Sequence, residues 1–210
     1  IWHFEQDLPD YTQLRNYEPP VMSRVHAADG SLLAEYARER RLFLPASAIP
    51  PLVKQAFLSA EDKNFYTHNG IDPEGIGRAL LIMVRGDKRI QGASTITQQV
   101  VKNAFLWHGR SWLRKALEAG MTPVVELFWS KRRILEVYVN IAEFDEGIFG
   151  VEAAARHHFG VGADEVNDVQ AARLAMVLPA PKLRAASAPT SAERRRTAAI
   201  IDGANTIARD

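Results

Sequence analysis

The sequence has 210 residues, of which 47% are hydrophobic and 24% are charged, with a formal net charge of +1 at pH 7. This balance is typical of a globular protein with a sizeable core, and it excludes a disordered chain while giving no indication of a nucleic-acid partner. The absence of cysteine excludes disulfide scaffolds, cysteine nucleophiles and cysteine-ligated zinc.

The first 48 residues are predicted to form a lead-in and one small β-hairpin. Asp29-Gly30 lies between two short apolar runs, which is a hairpin signal, and no later segment predicts a strand. The turn residues Ile49-Pro50-Pro51 begin the second part, residues 49–210, which we interpret as the main domain. Its first helix is expected over about 52–62.

The rest of the chain is predicted to be helical, so the expected fold class is mainly α. Polar N-caps, a first-turn proline and a terminal glycine mark the helix ends. The predicted helices cover residues 73–84, 96–105, 112–128, 131–142, 151–158 and 168–178, and a last one follows the capping box Thr190-x-x-Glu193. Residues 85–93 are predicted to be a mobile loop, and Pro123 is expected to kink its helix.

Glu61 and Asp62 stand at the end of a predicted helix, just before a loop that contains histidine and glycine. Such a pair is most often a solvated surface feature. The alternative is a carboxylate in a cleft, where Phe57, Phe65 and Tyr66 would raise its pKa and let it exchange a proton near neutral pH. The pair alone does not decide between the two interpretations.

Polar residues form a ridge on the predicted helix over 96–105. Gln98 and Lys102 are four residues apart, and Gln99 and Asn103 lie beside them. The ridge is either a solvated face or a set of donors with one cation, directed at a phosphate or a sugar.

Two cations precede an acid on the next predicted helix, in the order Arg114, Lys115, Glu118. They can form intrahelical ion pairs worth about 0.2–0.5 kcal/mol, although the cation-before-acid order is the less favourable one. Alternatively, two adjacent cations and a carboxylate can bind a phosphate and orient a reacting hydroxyl group.

Other clusters are interpreted as structural. His157-His158 is not at metal-ligand spacing, so we predict no metal site there. Lys131-Arg132-Arg133 lies in the first turn of its helix, where positive charge opposes the helix dipole, and is interpreted as a contribution to solubility. The apolar segments 80–84 and 105–107 are expected to be mostly core, with part available to touch a membrane.

Together these motifs resemble the peptidoglycan glycosyltransferase domain of family 51 over roughly residues 50–180. Four motifs occur in order: Glu61-Asp62-x-x-Phe65-x-x-His68-x-Gly70, the segment from Gln91 to Asn103, Arg114-Lys115-x-x-Glu118, and the segment from Lys131 to Asn140. The resemblance implies a lysozyme-like, two-lobed helical domain. Residues 8–77 are more similar to bifunctional class A penicillin-binding proteins, and the chain from about Arg78 is more similar to monofunctional members.

The resemblance implies polymerisation of lipid II onto a lipid-linked glycan, with inversion at C1 and release of undecaprenyl pyrophosphate. Glu61 would deprotonate the acceptor 4-hydroxyl group, and Glu118 matches the second essential acid. The cationic cluster, defined as Lys102, Arg114 and Lys115, matches positions that stabilise the pyrophosphate. The other expected substrate-binding residues are Asp62, Phe65, His68, Arg78, Ser94, Thr95, Gln98, Gln99 and Asn103.

The resemblance also implies where the protein works and with what. It places the domain at the periplasmic face of the inner membrane, in contact with the membrane surface and anchored by an N-terminal helix that precedes this chain. Moenomycin is the expected inhibitor. In some relatives a divalent cation, Mg²⁺ or Mn²⁺, assists at the pyrophosphate.

Two alternatives remain. A muramidase or lytic transglycosylase of similar fold would use Glu61 as a general acid, but it has no pyrophosphate for the cationic cluster to hold. A non-catalytic wall- or lipid-binding module is disfavoured by the presence of both Glu61 and Glu118.

Overall fold

The computed structural model describes residues 17, 23–26, 32–36, 40–84, 94–107, 109 and 111–208, with backbone alone at 23–26, 32–36, 40–41, 78–80 and 82–84. Within these ranges the chain forms eight helices, which confirms the mainly α fold class. The helices are α1 (Pro51–Glu61), α2 (Pro73–Val84), α3 (Ile96–Phe105), α4 (Trp112–Phe128), α5 (Lys131–Ile141), α6 (Val151–Phe159), α7 (Asp168–Val177) and α8 (Ser191–Ile207). None of these helices is both long enough and apolar enough to cross a bilayer.

The helix ends follow from the predicted capping residues. Thr95 and Gln98 form a reciprocal capping box at the start of α3, and the Ser111 side chain accepts the Arg114 N–H at the start of α4. Gly160 ends α6 in the left-handed region, with φ of 72°. Several observed ends differ from the predicted ones by one residue. The predicted mobile loop over 85–93 lies outside the described residues.

Five short strands form two small sheets: β1 (Ser23–His26), β2 (Leu32–Tyr36), β3 (Arg40–Arg41), β4 (Glu143–Asp145) and β5 (Ile148–Phe149). The antiparallel pairing of β1 with β2 confirms the predicted hairpin, although its turn lies outside the described residues. The prediction of no further strand was wrong, because β5 pairs in parallel with β3 and antiparallel with β4. Strands of two or three residues are too short to show the alternation by which a strand is recognised.

The chain divides into two compact units. The first spans Ile1–Glu18 and Glu61–Tyr138 and contains every predicted site residue. In its core, α3 packs against α4, and the fully buried side chains include Ile96, Val100, Val101 and Val125. The buried apolar residues of α3 therefore belong to the core of this unit.

The second unit spans Pro19–Ala60 and Val139–Asp210. The Phe57 and Phe144 rings pack in its core with centroids 5.8 Å apart. The buried amide of Asn140 accepts the Leu44 N–H at 2.7 Å and donates to the Leu44 carbonyl at 2.8 Å. Asn140, the last residue of the fourth motif, therefore has a structural role in this unit. The predicted division of the chain at residue 48 stays a prediction.

Candidate active site

Glu61 is the last residue of α1, and a partner on α3 holds its carboxylate. The Gln99 side-chain amide donates to Glu61 Oε2 at 2.9 Å. The Tyr138 hydroxyl group on α5 in turn donates to Gln99 Oε1 at 3.4 Å, which is a long hydrogen bond. Side chains of three helices therefore form a hydrogen-bond network that ends at the Glu61 carboxylate. Such a network can hold one carboxylate in a fixed orientation.

Tyr138 is fully buried. Burial raises its pKa well above the ordinary value, and the nearby negative charges of Glu61 and Asp62 raise it further. The phenol therefore stays protonated and remains a donor at any pH at which the protein works. Sequence reasoning did not assign Tyr138 to the site, although it stands within the fourth motif.

Asp62 follows Glu61 in the chain, is buried and joins a loop to the start of α3. Its Oδ1 is 2.8 Å from His68 Nε2, and its Oδ2 accepts the Ile96 N–H at 3.0 Å. His68 Nδ1 accepts the Gly70 N–H at 3.1 Å, so the ring proton is on Nε2 and is donated to Asp62. Burial raises the pKa of Asp62, and the hydrogen bonds from His68 and Ile96 partly oppose this effect.

Gly70 allows this loop to lie against α4. Its φ is +86°, and a Cβ atom there would lie 2.5 Å from Thr122 Cγ2 and 2.9 Å from Glu126 Cγ. The Gly70 carbonyl accepts a 2.5 Å hydrogen bond from the Thr95 hydroxyl group. The glycine of the first motif therefore fixes the loop against both α4 and the cap of α3.

Glu118 lies on α4 with only 2% of its surface exposed, and it faces two members of the cationic cluster. Lys115 Nζ forms a short hydrogen bond to Glu118 Oε1, and Arg114 Nη1 is 3.9 Å from Oε2. Arg114 Nε is buried and has no hydrogen-bond partner among the described residues. A buried, unused donor on a guanidinium group favours an anionic ligand, because its desolvation is otherwise uncompensated.

The pKa of Lys102 reflects the charges of both acids and of both other cations. Burial lowers its pKa, Glu118 and Glu61 act to raise it, and Arg114 and Lys115 act to lower it. The first unit therefore holds Glu61 together with Glu118 and the cationic cluster, which separate motifs supply.

The other predicted substrate-binding residues fall into three groups. Phe65, His68, Asp62, Thr95 and Gln98 are buried, and their described contacts support the loop and the α3 cap. Ser94 accepts a 3.4 Å hydrogen bond from Lys115, and Asn103 is exposed on α3. Arg78 lies on α2, and its side chain is outside the described residues.

Sequence reasoning missed the pair formed by Glu126 and Lys131. Lys131 Nζ is 2.7 Å from Glu126 Oε1, and it lies 4.5 Å from the centroid of the Phe65 ring. Thr97 on α3 donates to the same Glu126 oxygen at 2.5 Å. The sequence alone suggests only a contribution of Lys131 to solubility, because no local pattern predicts a pairing between the end of α4 and the start of α5.

A resident divalent cation fits this site poorly. It would need carboxylate oxygens that are free to coordinate it, whereas both oxygens of Glu118 already face cations. Within the described residues, no three potential metal ligands come together here. The cationic cluster itself supplies the positive charge that such an ion would bring.

The sequence model of a family described as transglycosylase matches residues 29–204. The biosynthetic peptidoglycan transglycosylase of Jannaschia sp. (strain CCS1) is 51% identical over 170 residues, which are 81% of this chain and 69% of that protein. That of Ectopseudomonas mendocina (strain ymp) is 51% identical over 161 residues, 77% of this chain and 66% of that protein. Penicillin-binding protein 1A of Rickettsia bellii (strain RML369-C) is 42% identical over 184 residues, 86% of this chain but only 23% of that protein.

Proposed function

The chain belongs to the transglycosylase family and is a peptidoglycan glycosyltransferase, and we propose that it polymerises lipid II with Glu61 as the catalytic base. The observation that supports this most strongly is the grouping of two acids and two cations in the first unit. Gln99 donates to Glu61 at 2.9 Å, and Glu118 accepts a hydrogen bond from Lys115 and lies 3.9 Å from Arg114. The charges of both acids also act on the pKa of Lys102.

The proposed reaction transfers the growing glycan from its pyrophosphate carrier to a new lipid II. The Glu61 carboxylate accepts the proton of the acceptor 4-hydroxyl group, and that oxygen attacks C1 of the donor sugar from the face opposite the carrier. A C–O bond forms at C1 as the bond from C1 to the pyrophosphate oxygen breaks, which inverts C1 and gives a β-1,4 link. Gln99 orients the carboxylate through its 2.9 Å hydrogen bond.

The cationic cluster stabilises the negative charge that develops on the leaving pyrophosphate. Pyrophosphate is a good leaving group, so the site needs positive charge there more than it needs a proton donor. Glu118 holds Lys115 by a direct hydrogen bond and lies within ion-pair distance of Arg114. Its role in the proposal is to position these cations.

The cationic cluster also separates this proposal from its rivals. A muramidase or lytic transglycosylase must protonate the leaving sugar oxygen and has no diphosphate to bind. A pure binding module has no use for a carboxylate oriented by a dedicated amide. Two acids facing one group of cations therefore favour glycosyl transfer from a pyrophosphate donor.

Peptidoglycan synthesis places the domain outside the cytoplasm. The finer location in the proposal is the outer face of the cytoplasmic membrane, where lipid II and the lipid-linked glycan are held. An N-terminal membrane anchor and inhibition by moenomycin belong to the same proposal. Both follow from a substrate that carries a long lipid and a diphosphate.

Product analysis tests the proposal. The purified protein is incubated with labelled lipid II in detergent and, separately, with preformed peptidoglycan, and the products are separated by size. The expected product is long glycan that a muramidase digests to disaccharide units, formed only from lipid II.

Fragments released from preformed peptidoglycan, without polymer from lipid II, would overturn the proposal in favour of a muramidase or lytic transglycosylase. Saturable binding of lipid II without any product would favour the binding module.

A further inference from the structure

Three side chains of the second unit place potential metal ligands together, and we name them the His–Asp cluster: Asp145, His157 and His158. Asp145 ends β4, and the two histidines lie in the last turn of α6. One ligand atom from each residue lies within 4.8 Å of those from the other two. The sequence spacing of the two histidines argues against a metal site. The structure adds a third potential ligand, Asp145, from a strand that precedes α6 in the chain.

The Asp145 carboxylate is already oriented for coordination. Its Oδ1 accepts the Glu146 N–H at 2.7 Å, which leaves Oδ2 directed at His157 Nε2, 3.4 Å away. Zinc bonds of 2.0–2.2 Å in a tetrahedral site hold neighbouring ligand atoms about 3.3–3.5 Å apart. The separation of this pair therefore matches two ligands of one ion.

His158 presents a buried ring nitrogen. Its Nε2 is shielded from solvent and has no hydrogen-bond partner among the described residues. A buried polar atom without a partner carries an uncompensated desolvation cost, and a metal ion bound by the Nε2 lone pair would remove it.

The surroundings also favour a cation. The carboxyl end of a helix carries partial negative charge, and the neighbouring Arg156 is held by Glu152 at 2.7 Å and does not occupy this place. A simple ion pair between His157 and Asp145 requires a protonated His157, and it leaves His158 Nε2 unused. A bound metal ion uses all three groups.

We infer that the His–Asp cluster binds one Zn²⁺ ion, with solvent as the fourth ligand. Two imidazoles and a carboxylate suit zinc, whereas Mg²⁺ and Ca²⁺ prefer oxygen ligands throughout. The ion ties the end of β4 to the last turn of α6 and so stabilises the folded second unit. This site takes no part in the proposed glycosyl transfer.

The experiment is a titration of chelator-treated, tag-free protein with ZnCl₂ by calorimetry, with MgCl₂ in parallel and with thermal unfolding measured at each ratio. The expected result is one zinc ion per chain, a higher midpoint of unfolding with zinc, and no effect of magnesium. His157→Gln, Asp145→Asn and His158→Gln should each weaken zinc binding by about 10-fold or more. Glu146→Gln removes an exposed neighbouring acid and should leave the affinity unchanged.

His157 and Asp145 are partly exposed, so without metal their variants should unfold at the same midpoint as the metal-free wild-type protein. That result would show that the variants fold. Absence of saturable zinc binding would overturn the inference. So would zinc binding that the folded His157→Gln and Asp145→Asn variants retain at full affinity, because the ion would then be bound elsewhere.

Discussion

Lys102 is a cation whose charge its surroundings disfavour. Burial lowers its pKa first, and Arg114 and Lys115 add to this effect against the opposing effects of Glu118 and Glu61. Because the folded pKa is lower than the unfolded value near 10.5, the unfolded state binds this proton more readily. The charged Lys102 therefore lowers the free energy of unfolding at every pH below its folded pKa. This destabilisation disappears as the pH rises from the folded pKa to the unfolded pKa near 10.5.

The Lys102→Met variant should be more stable and less active than the wild type. We expect the variant to have a higher midpoint of thermal unfolding than the wild type at neutral pH. The difference between the two midpoints should shrink as the pH approaches 10.5. Polymerisation should slow by about 100-fold or more, because an anion-stabilising group is lost. Lys182→Met, which removes an exposed lysine, is the control. A Lys102→Met protein with wild-type activity would contradict the assignment.

Gln99 positions Glu61, and its replacement should change the pH dependence of the reaction. In Gln99→Leu the carboxylate loses the donor at 2.9 Å, so it binds a proton more readily. We expect kcat to fall by about 10-fold or more and the acid limb of the pH–rate profile to move to higher pH.

Tyr138→Phe is the matched test of this arrangement, because it keeps the ring and removes the weaker 3.4 Å hydrogen bond to Gln99. Tyr138→Phe should also lower kcat and move the acid limb to higher pH, but by less than Gln99→Leu does. A fall in rate without any displacement of the pH profile in Gln99→Leu would mean that Gln99 acts on substrate binding alone.

At the scale of elements, the start of α3 is where the first and second motifs meet. Thr95 caps the helix and also donates to the Gly70 carbonyl, so Thr95→Val loses two hydrogen bonds. We expect this change to lower the free energy of unfolding by about 2–3 kcal/mol, measured by urea denaturation. Thr190→Val at the exposed start of α8 loses only capping interactions and should cost about 1 kcal/mol. Equal losses would show that the contact with Gly70 contributes nothing.

The helices and their caps were predictable because their signals are local. Thr95 with Gln98, and Thr190 with Glu193, form the capping boxes that their spacing predicts. Features that join distant segments were not predictable in this way. The pairing of β3 with β5 and the approach of Asp145 to the histidines of α6 depend on tertiary packing, which no local pattern reports.

The same distinction applies to the candidate site. Glu61, Glu118 and the cationic cluster could be named from motifs, because each motif is contiguous in the sequence. The orienting bond from Gln99 to Glu61 and the link from Tyr138 could not be named, because they join helices that lie far apart in the chain.

Over the molecule as a whole, the first unit exposes several large apolar side chains. Trp112 and Leu127 on α4 are 92% and 80% exposed. Leu81 and Trp107, from the segments expected to touch a membrane, are also exposed. Exposed apolar side chains of this size are suited to insertion at a membrane surface, which the proposed lipid-linked substrate requires.

The double variant Trp112→Ser with Leu127→Ser should bind anionic lipid vesicles at least about 10-fold more weakly, because burial of each side chain is worth about 1.5–3 kcal/mol. Vesicle co-sedimentation measures this. Leu183→Ser replaces an 87% exposed leucine of the second unit and is the control. An equal loss in the control would point to non-specific adhesion.

In the proposed mechanism Glu61 removes the acceptor proton. The initial rate of lipid II polymerisation by the Glu61→Gln variant is the direct test of this role. Glutamine keeps the size of the side chain and an acceptor for the Gln99 amide but cannot take a proton. We predict a rate at least about 100-fold below wild type at an unchanged midpoint of unfolding, with Glu146→Gln as active as wild type. Polymerisation by a folded Glu61→Gln protein at nearly the wild-type rate would contradict the account.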